Sequence, residues 1–213
     1  MKPAATNSRI GRPTPEESVR RHEELLERAM EVFIDRGFEK TTVLDIASTV
    51  GMSKGTIYSH YAGKDELFLA AFRRTIERFT LPIETYQAVE VDDLETTLKA
   101  VARLRIDNVS TPTGIKFQRI LYAESIRFPG LYTEYFEVGS GPCVAFLSDL
   151  FIRRTKQGEL NVDNPENAAV SFIILVVGGL TRFITTGGRP GKDEIEKRIN
   201  YTIRLLLDCM RPR

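Results

Sequence analysis

Lys54, Thr56, Tyr58, His60 and Lys64 crowd into a short stretch of the chain, with Thr42 and Ser53 close before them. Ammonium, hydroxyl, phenol and imidazole groups donate hydrogen bonds to phosphate oxygens and base edges, so the chemistry in view is recognition of an anionic, base-bearing polymer. Gly55 sits among them at a cost of roughly 1 kcal/mol to any helix that contains it. The glycine makes sense where a second backbone must come close.

The elements that would position these groups follow from spacing. Val43, Leu44, Ile46, Ala47 and Val50 recur at helical intervals, and Thr41 or Thr42 can cap that helix with Asp45 at the acidic position of a capping box. Gly51 can take a positive φ and end the helix, with Met52 packing at the elbow. Ser53 is an N-cap for a second helix over 54–61, with Ile57 and Tyr61 turned to the core. Two short helices joined by a glycine-containing turn make a helix-turn-helix, whose second helix enters a DNA major groove.

Other chemistries lack carriers. Only His22, His60, Cys143 and Cys209 offer soft metal ligands, and they show no metal-site spacing, so no metal or cofactor is expected. The loop at 187–192 is one residue short of a phosphate-binding loop and has Asp193 where a hydroxyl is required. Gly139-Ser140-Gly141 lacks the spacing of a nucleophile elbow. The expectation is a protein that is not an enzyme. With 30 basic and 29 acidic residues the net charge is +1, so any attraction to nucleic acid must be local. Lys2, Arg9 and Arg12 form a short basic arm over 1–14. Two distant cysteines fit a reduced, cytoplasmic protein, and the apolar run at 168–184 is interrupted by Gly178, Gly179 and Arg182, which argues for a buried helix over a membrane span.

Thr41-Thr42-Val43, Ile46-Ala47, the run from Gly51 through Tyr58, Tyr61 and Lys64-Asp65-Glu66-Leu67 together resemble the DNA-binding signature of the TetR family of transcriptional regulators. Tyr122 through Pro129, with Leu131, Tyr135 and Phe136, is similar to the effector domain of its AefR-like branch, close to the AcrR-like regulators. The resemblance implies an all-α homodimer with three segments. These are the arm at 1–14, a three-helix helix-turn-helix domain at 15–63 and a larger helical effector-binding and dimerisation domain at 64–213. Its partners would be double-stranded operator DNA and a small-molecule effector, without a membrane. Thr42, Lys54, Gly55, Thr56, Tyr58, His60 and Lys64 fall at the family's DNA-touching positions, and Ser53 and Tyr61 are grouped with them. Val43 stands where some members carry a base-reading arginine, leaving only apolar contact there.

The rest of the chain reads as helices over 15–36, 65–80, 92–108, 115–128, 168–185 and 192–210. Residues 131–154 are expected as two pieces, because Gly139 to Pro142 should bend or break the helix. Leu104, Phe117, Leu121, Glu124, Phe136, Phe146, Phe172 and Val176 suit the lining of an effector pocket, although a plain core has the same composition. Phe172, Val176, Ile195, Ile199, Ile203, Leu206 and Met210 suit a four-helix dimer interface. The reading that follows is a ligand-released repressor. A TetR-type activator, or a small-molecule-binding or membrane-associated helical protein with a vestigial helix-turn-helix, fits the same residues.

Overall fold

The computed structural model describes residues 14–180, 183 and 191–212. The basic arm and most of the 187–192 loop lie outside the described residues. Among the described residues the chain is helical throughout, without a strand.

Helix α1, Pro15–Arg36, begins as its sequence dictates: Thr14 and Glu17 form a reciprocal capping box with proline in the first turn. It ends at Gly37, whose φ of 81° no other residue adopts easily. Helix α2, Val43–Val50, is capped by Thr42 and Asp45, and its C-cap Gly51 is left-handed at φ 67°. Helix α3, Lys54–Tyr58, starts at the Ser53 cap. It is shorter than the expected span to 61, because after Ser59 the chain tightens and drives Tyr61 beneath α1. Helix α4, Lys64–Phe79, then runs from this head toward the body.

The body consists of α5 (Ile83–Gln87), α6 (Leu94–Val109), α7 (Pro112–Glu124), α8 (Leu131–Lys156), α9 (Pro165–Gly178) and α10 (Lys192–Met210). Helix α5 has no counterpart in the sequence reading. The Ser110 to Gly114 breaker is in fact a two-residue hinge, since Ser110 closes α6, Thr111 caps α7 and Pro112 opens it.

Helix α8 corrects the expected break, for it is continuous through Pro142. Proline removes the hydrogen bond to the carbonyl four residues earlier. That carbonyl, Val138 O, lies 3.5 Å from the Thr80 hydroxyl at the end of α4. Arg105 reaches across from α6 to the next carbonyl, Gly139 O, at 3.2 Å, and to Ser140 Oγ at 3.1 Å. The disturbed turn is therefore held by Arg105 from α6, while the Thr80 hydroxyl, bonded to Ile76 O at 2.7 Å, lies beside the freed carbonyl.

Two cores result. One joins α1–α4 to α7 and the start of α8, with Phe128 packed against Phe38 and Phe68 at ring distances of 5.4 and 5.2 Å. The other is shared by α6, the rest of α8, α9 and α10. Helix α4 serves the head core through Leu67, Phe68 and Phe72, so the packing unit of the head extends past residue 63.

Candidate nucleic-acid interface

Three helices build one polar face. Helix α1 supports it from behind, through Leu25, Leu26, Ala29 and Phe33 against Ile46, Ala47 and Ile57. The Ser53 hydroxyl accepts the Thr56 amide at 3.0 Å and shares a hydrogen bond with Thr56 Oγ1 at 2.8 Å, which fixes the first turn of α3. Lys54, Gly55, Thr56, Tyr58 and His60 are left facing outward. The Lys54 ammonium sits 5.4 Å from the centre of the Tyr58 ring, a cation–π pair that orients both groups on the surface.

Gly55 lies on the exposed first turn of α3. A Cβ added to it would meet only Ser53 Oγ, at 3.7 Å, an ordinary contact. Nothing inside the head demands a glycine, so its use is outward: a bare backbone on an exposed first turn, open to close approach.

Several expected site residues are placed differently. Tyr61 is buried, and its hydroxyl is bonded to His22 Nε2 at 2.9 Å while burial raises its phenol to about 12. It packs the head and does not face outward, as its inward spacing with Ile57 already indicated. Lys64 is tied down as well: its ammonium donates to Phe38 O at 3.0 Å and Glu39 O at 3.4 Å, and lies 4.2 Å from the Phe38 ring centre. It closes the loop between α1 and α2, and is not a free rim cation.

Val43 is 5% exposed and points into the core, so it offers no apolar contact to a partner. The outward position is the next one, Leu44, at 64% exposure. The helical stripe of Val43, Ile46, Ala47 and Val50 leaves Leu44 about 100° off the buried side, and that signal was present in the sequence. Arg21 is a second residue that sequence reasoning missed. With Ser53, Thr56 and His60 it lines a cleft of about 300 Å³ between α1 and α3, and only the docking of the two helices brings it there.

His22 forms the inner wall of that cleft. Burial, then the nearby His60, holds its imidazole below the ordinary value of 6.5. Thr42 is exposed and engaged with Asp45, whose carboxyl is held below its usual range by hydrogen bonds from Thr42. The face thus combines a capped, rigid scaffold with outward donors and few charges.

The expected pocket lining disperses. Phe146, Phe172 and Val176 are close-packed body core, Leu121 belongs to the head-side core, and Leu104 is partly buried against the body core. Glu124 ends α7 near Arg127 and Lys64, its carboxyl pushed up by burial and then by Glu39. Phe136 does border open space, an α8–α9 cleft of about 680 Å³, and Phe117 borders a void of about 30 Å³. Core and pocket wall share a composition, so spacing alone could not separate them.

The expected dimer residues are corrected in the same way. Phe172, Val176, Ile199, Ile203 and Met210 are buried within their own protomer, and Ile195 and Leu206 are partly buried. The apolar residues left outward on α9 and α10 are Ile174, Leu175, Tyr201 and Leu205. The strongest apolar stripe of each helix is consumed by the internal core. Among the described residues no helix is long and apolar enough to cross a membrane.

Comparison with known proteins agrees with this architecture. The family description "Bacterial regulatory proteins, tetR family" matches residues 25–71, and "AefR-like transcriptional repressor, C-terminal domain" matches residues 96–212. The transcriptional repressor AcnR of Corynebacterium diphtheriae is 35% identical over 112 residues, which is 47% of this chain and 59% of that protein. A solved structure from Mesorhizobium loti, assigned to the TetR family, superposes with a TM-score of 0.77 over 94% of this chain and all (100%) of that one, at 24% identity, a likeness of fold. The flavonoid-responsive regulator FrrA is 26% identical, with a TM-score of 0.69 over 92% of this chain and 99% of its own.

Proposed function

Because this chain belongs to the TetR family of transcriptional regulators, with an AefR-like C-terminal domain, we propose that it is a homodimeric one-component repressor released from a pseudo-palindromic operator by a small, largely apolar ligand. It is a DNA-binding regulator and not an enzyme. The observation that carries the operator reading is the outward first turn of α3: Ser53-capped, open at Gly55, and bearing Lys54, Thr56 and Tyr58. Such a turn can lie against a phosphate backbone while its side chains reach base edges.

Two copies would present two α3 helices to successive major grooves, about 34 Å apart. The outward set of Ile174, Leu175, Tyr201 and Leu205 supports α9 and α10 as the pairing surface, on residues other than the buried stripe. Lys54 is the cation that α2 and α3 themselves carry, so specificity would rest on holding two heads at one spacing. An effector that fits the body better when the heads are misplaced shifts the population by its differential affinity for the two states. The aromatic residues of α7 and α8, and the named responsiveness of FrrA to flavonoids, support an aromatic effector.

A gel-shift titration with the DNA upstream of the protein's own gene tests the operator reading. Binding at least tenfold tighter than to a scrambled duplex at matched salt is expected; equal binding to both contradicts it. Sedimentation of a Tyr201→Glu, Leu205→Glu double variant tests the pairing surface, with monomers expected and an intact dimer contradicting it.

A further inference from the structure

Arg105 is a cation in the interior of the body, 3% exposed. Its guanidinium has five N–H groups to satisfy. Nη1 reaches Tyr86 Oη at 3.4 Å and Gly139 O at 3.2 Å, Nη2 reaches Ser140 Oγ at 3.1 Å, and Nε has no partner. Among the described residues no carboxylate lies within ion-pair distance of it. The acidic groups around it are neutral as well: burial raises the Tyr86 phenol, holds the Tyr135 phenol at about 12 and the Cys143 thiol at about 11. A desolvated guanidinium surrounded by neutral acceptors is an arrangement that proteins otherwise avoid, because a buried charge is tolerated when it is paired.

Arg105 is also flanked by space on two sides. A void of about 30 Å³ opens toward α4, at Ile76, Phe79 and Thr80. A second, of about 70 Å³, opens between α7, α8 and α9, at Tyr122, Tyr132, Phe136 and Ile173. Both are walled by Arg105, Gln118 and Tyr135, so these three side chains form the partition between them. Neither void alone admits an organic molecule, and displacement of Tyr135 would join them. The joined space has a cation at its centre and flat rings along one side, with Tyr122 and Tyr132 stacked 6.4 Å apart.

We infer that this is the effector site and that its ligand is a small aromatic acid, the carboxylate taken by Arg105 and the ring by the tyrosine side. This deepens the proposed function and rests on its ligand-released reading. A carboxylate accepts two parallel hydrogen bonds from a guanidinium edge, which answers the unpartnered Nε and supplies the missing charge. A neutral ligand of the same shape leaves that cation unpaired.

The site also touches the part of the body that carries the head. Arg105 grips the Gly139 carbonyl, and α4 rests on that same turn: a Cβ at Gly139 would lie 3.4 Å from Ile76 Cγ2 and 4.0 Å from Thr80 Oγ1. An acid that draws Arg105 off Gly139 and Ser140 acts on α8 at the point where α4 ends. The other end of α4 begins beside α3.

The test is calorimetric titration of the full chain with benzoate and with its neutral isostere benzamide, each repeated on Arg105→Met and Arg105→Lys. Benzoate is expected to bind at least tenfold more tightly than benzamide, to lose that preference in Arg105→Met, and to keep it at reduced affinity in Arg105→Lys, which retains charge without the fork. Equal affinities for the two probes overturn the inference, as does unchanged benzoate binding in Arg105→Met or no heat from benzoate at millimolar concentration. The comparison of the two probes on the unaltered chain needs no variant to fold. Gel shifts on the same samples separate the two readings. Operator binding without benzoate binding removes this site and leaves the DNA-binding regulator. Benzoate bound through Arg105 with the operator still held keeps the site and removes ligand release.

Discussion

The head core and the centre of the body solve the burial of polar groups in opposite ways. In the head, Phe33, Phe38, Phe68 and Phe128 pack ring on ring, with Phe38 and Phe68 5.0 Å apart. The buried polar side chains there, Thr41 and Thr75, return their hydroxyl protons to carbonyls of Gly37 and Ala71, four residues back and 2.8 Å away in each case. Charges stay at the edge, where Lys64 and Arg127 lie over the Phe38 ring. The body instead buries Arg105 and Ser140 at the Pro142 turn of α8, with Gln118 of α7 beside the same unfilled volume. The aromatic core beneath α2 and α3 is closed, whereas the centre of the body keeps a buried charge with an unpartnered Nε beside voids of about 30 and 70 Å³.

That contrast is open to direct attack. Phe68→Ala removes the ring that packs against Phe33, Phe38, Phe72 and Phe128, and a loss of about 3–5 kcal/mol of unfolding free energy is expected by denaturant titration. Arg105→Met is expected to go the other way, neutral or stabilising by about 1–4 kcal/mol, because a methionine fills similar volume without a charge to desolvate. If Arg105→Met costs as much as Phe68→Ala, the two centres are alike and the contrast fails.

Smaller effects sharpen it. Tyr58→Ala, on the exposed face, is expected to weaken specific DNA binding by about 1–3 kcal/mol, measured by fluorescence anisotropy, with the unfolding midpoint unchanged. A fall in that midpoint would place Tyr58 in the scaffold. Tyr61→Phe, one turn further on, should do the reverse: about 1 kcal/mol of stability lost with the His22–Tyr61 bond, and little direct effect on DNA contacts. The smallest effect is with pH. Since burial and His60 hold His22 below 6.5, the unfolded chain takes up that proton first on acidification. The stability from neutral His22 is thus present above pH 6.5 and lost as pH falls toward its lowered folded value. Thermal melts of His22→Gln beside the parent should show that slope flattened.

How much of this was legible in the sequence depended on how local the cause is. Thr14 with Glu17, Thr42 with Asp45, Ser53 and Gly51 each act within one turn, and each sits where its spacing placed it. The DNA-binding family was legible for the same reason, since the turn and both caps are contiguous. The roles of Lys64 and Arg105 were not, because their partners are Phe38 O, 26 residues away, and Gly139 O, 34 residues away. The turn of α8 around Pro142 is likewise held by a group from another helix, Arg105 of α6. Phe117 and Phe136 do border open space, but the other pocket residues and the dimer residues were misplaced for a simpler reason: α9 is apolar on more than one side, with Phe172 buried and Ile174 and Leu175 exposed, and composition does not say which side meets which neighbour.

A hydrogen-exchange footprint of the full chain, with and without the operator duplex found by gel shift, tests whether α2 and α3 read the DNA. The structure predicts slowed exchange at the amides of 42–45 and 53–58, with α9 and α10 unchanged. Slowing confined to the body, or absent from 53–58 under saturating operator, would contradict the placement of the DNA-reading face on α2 and α3.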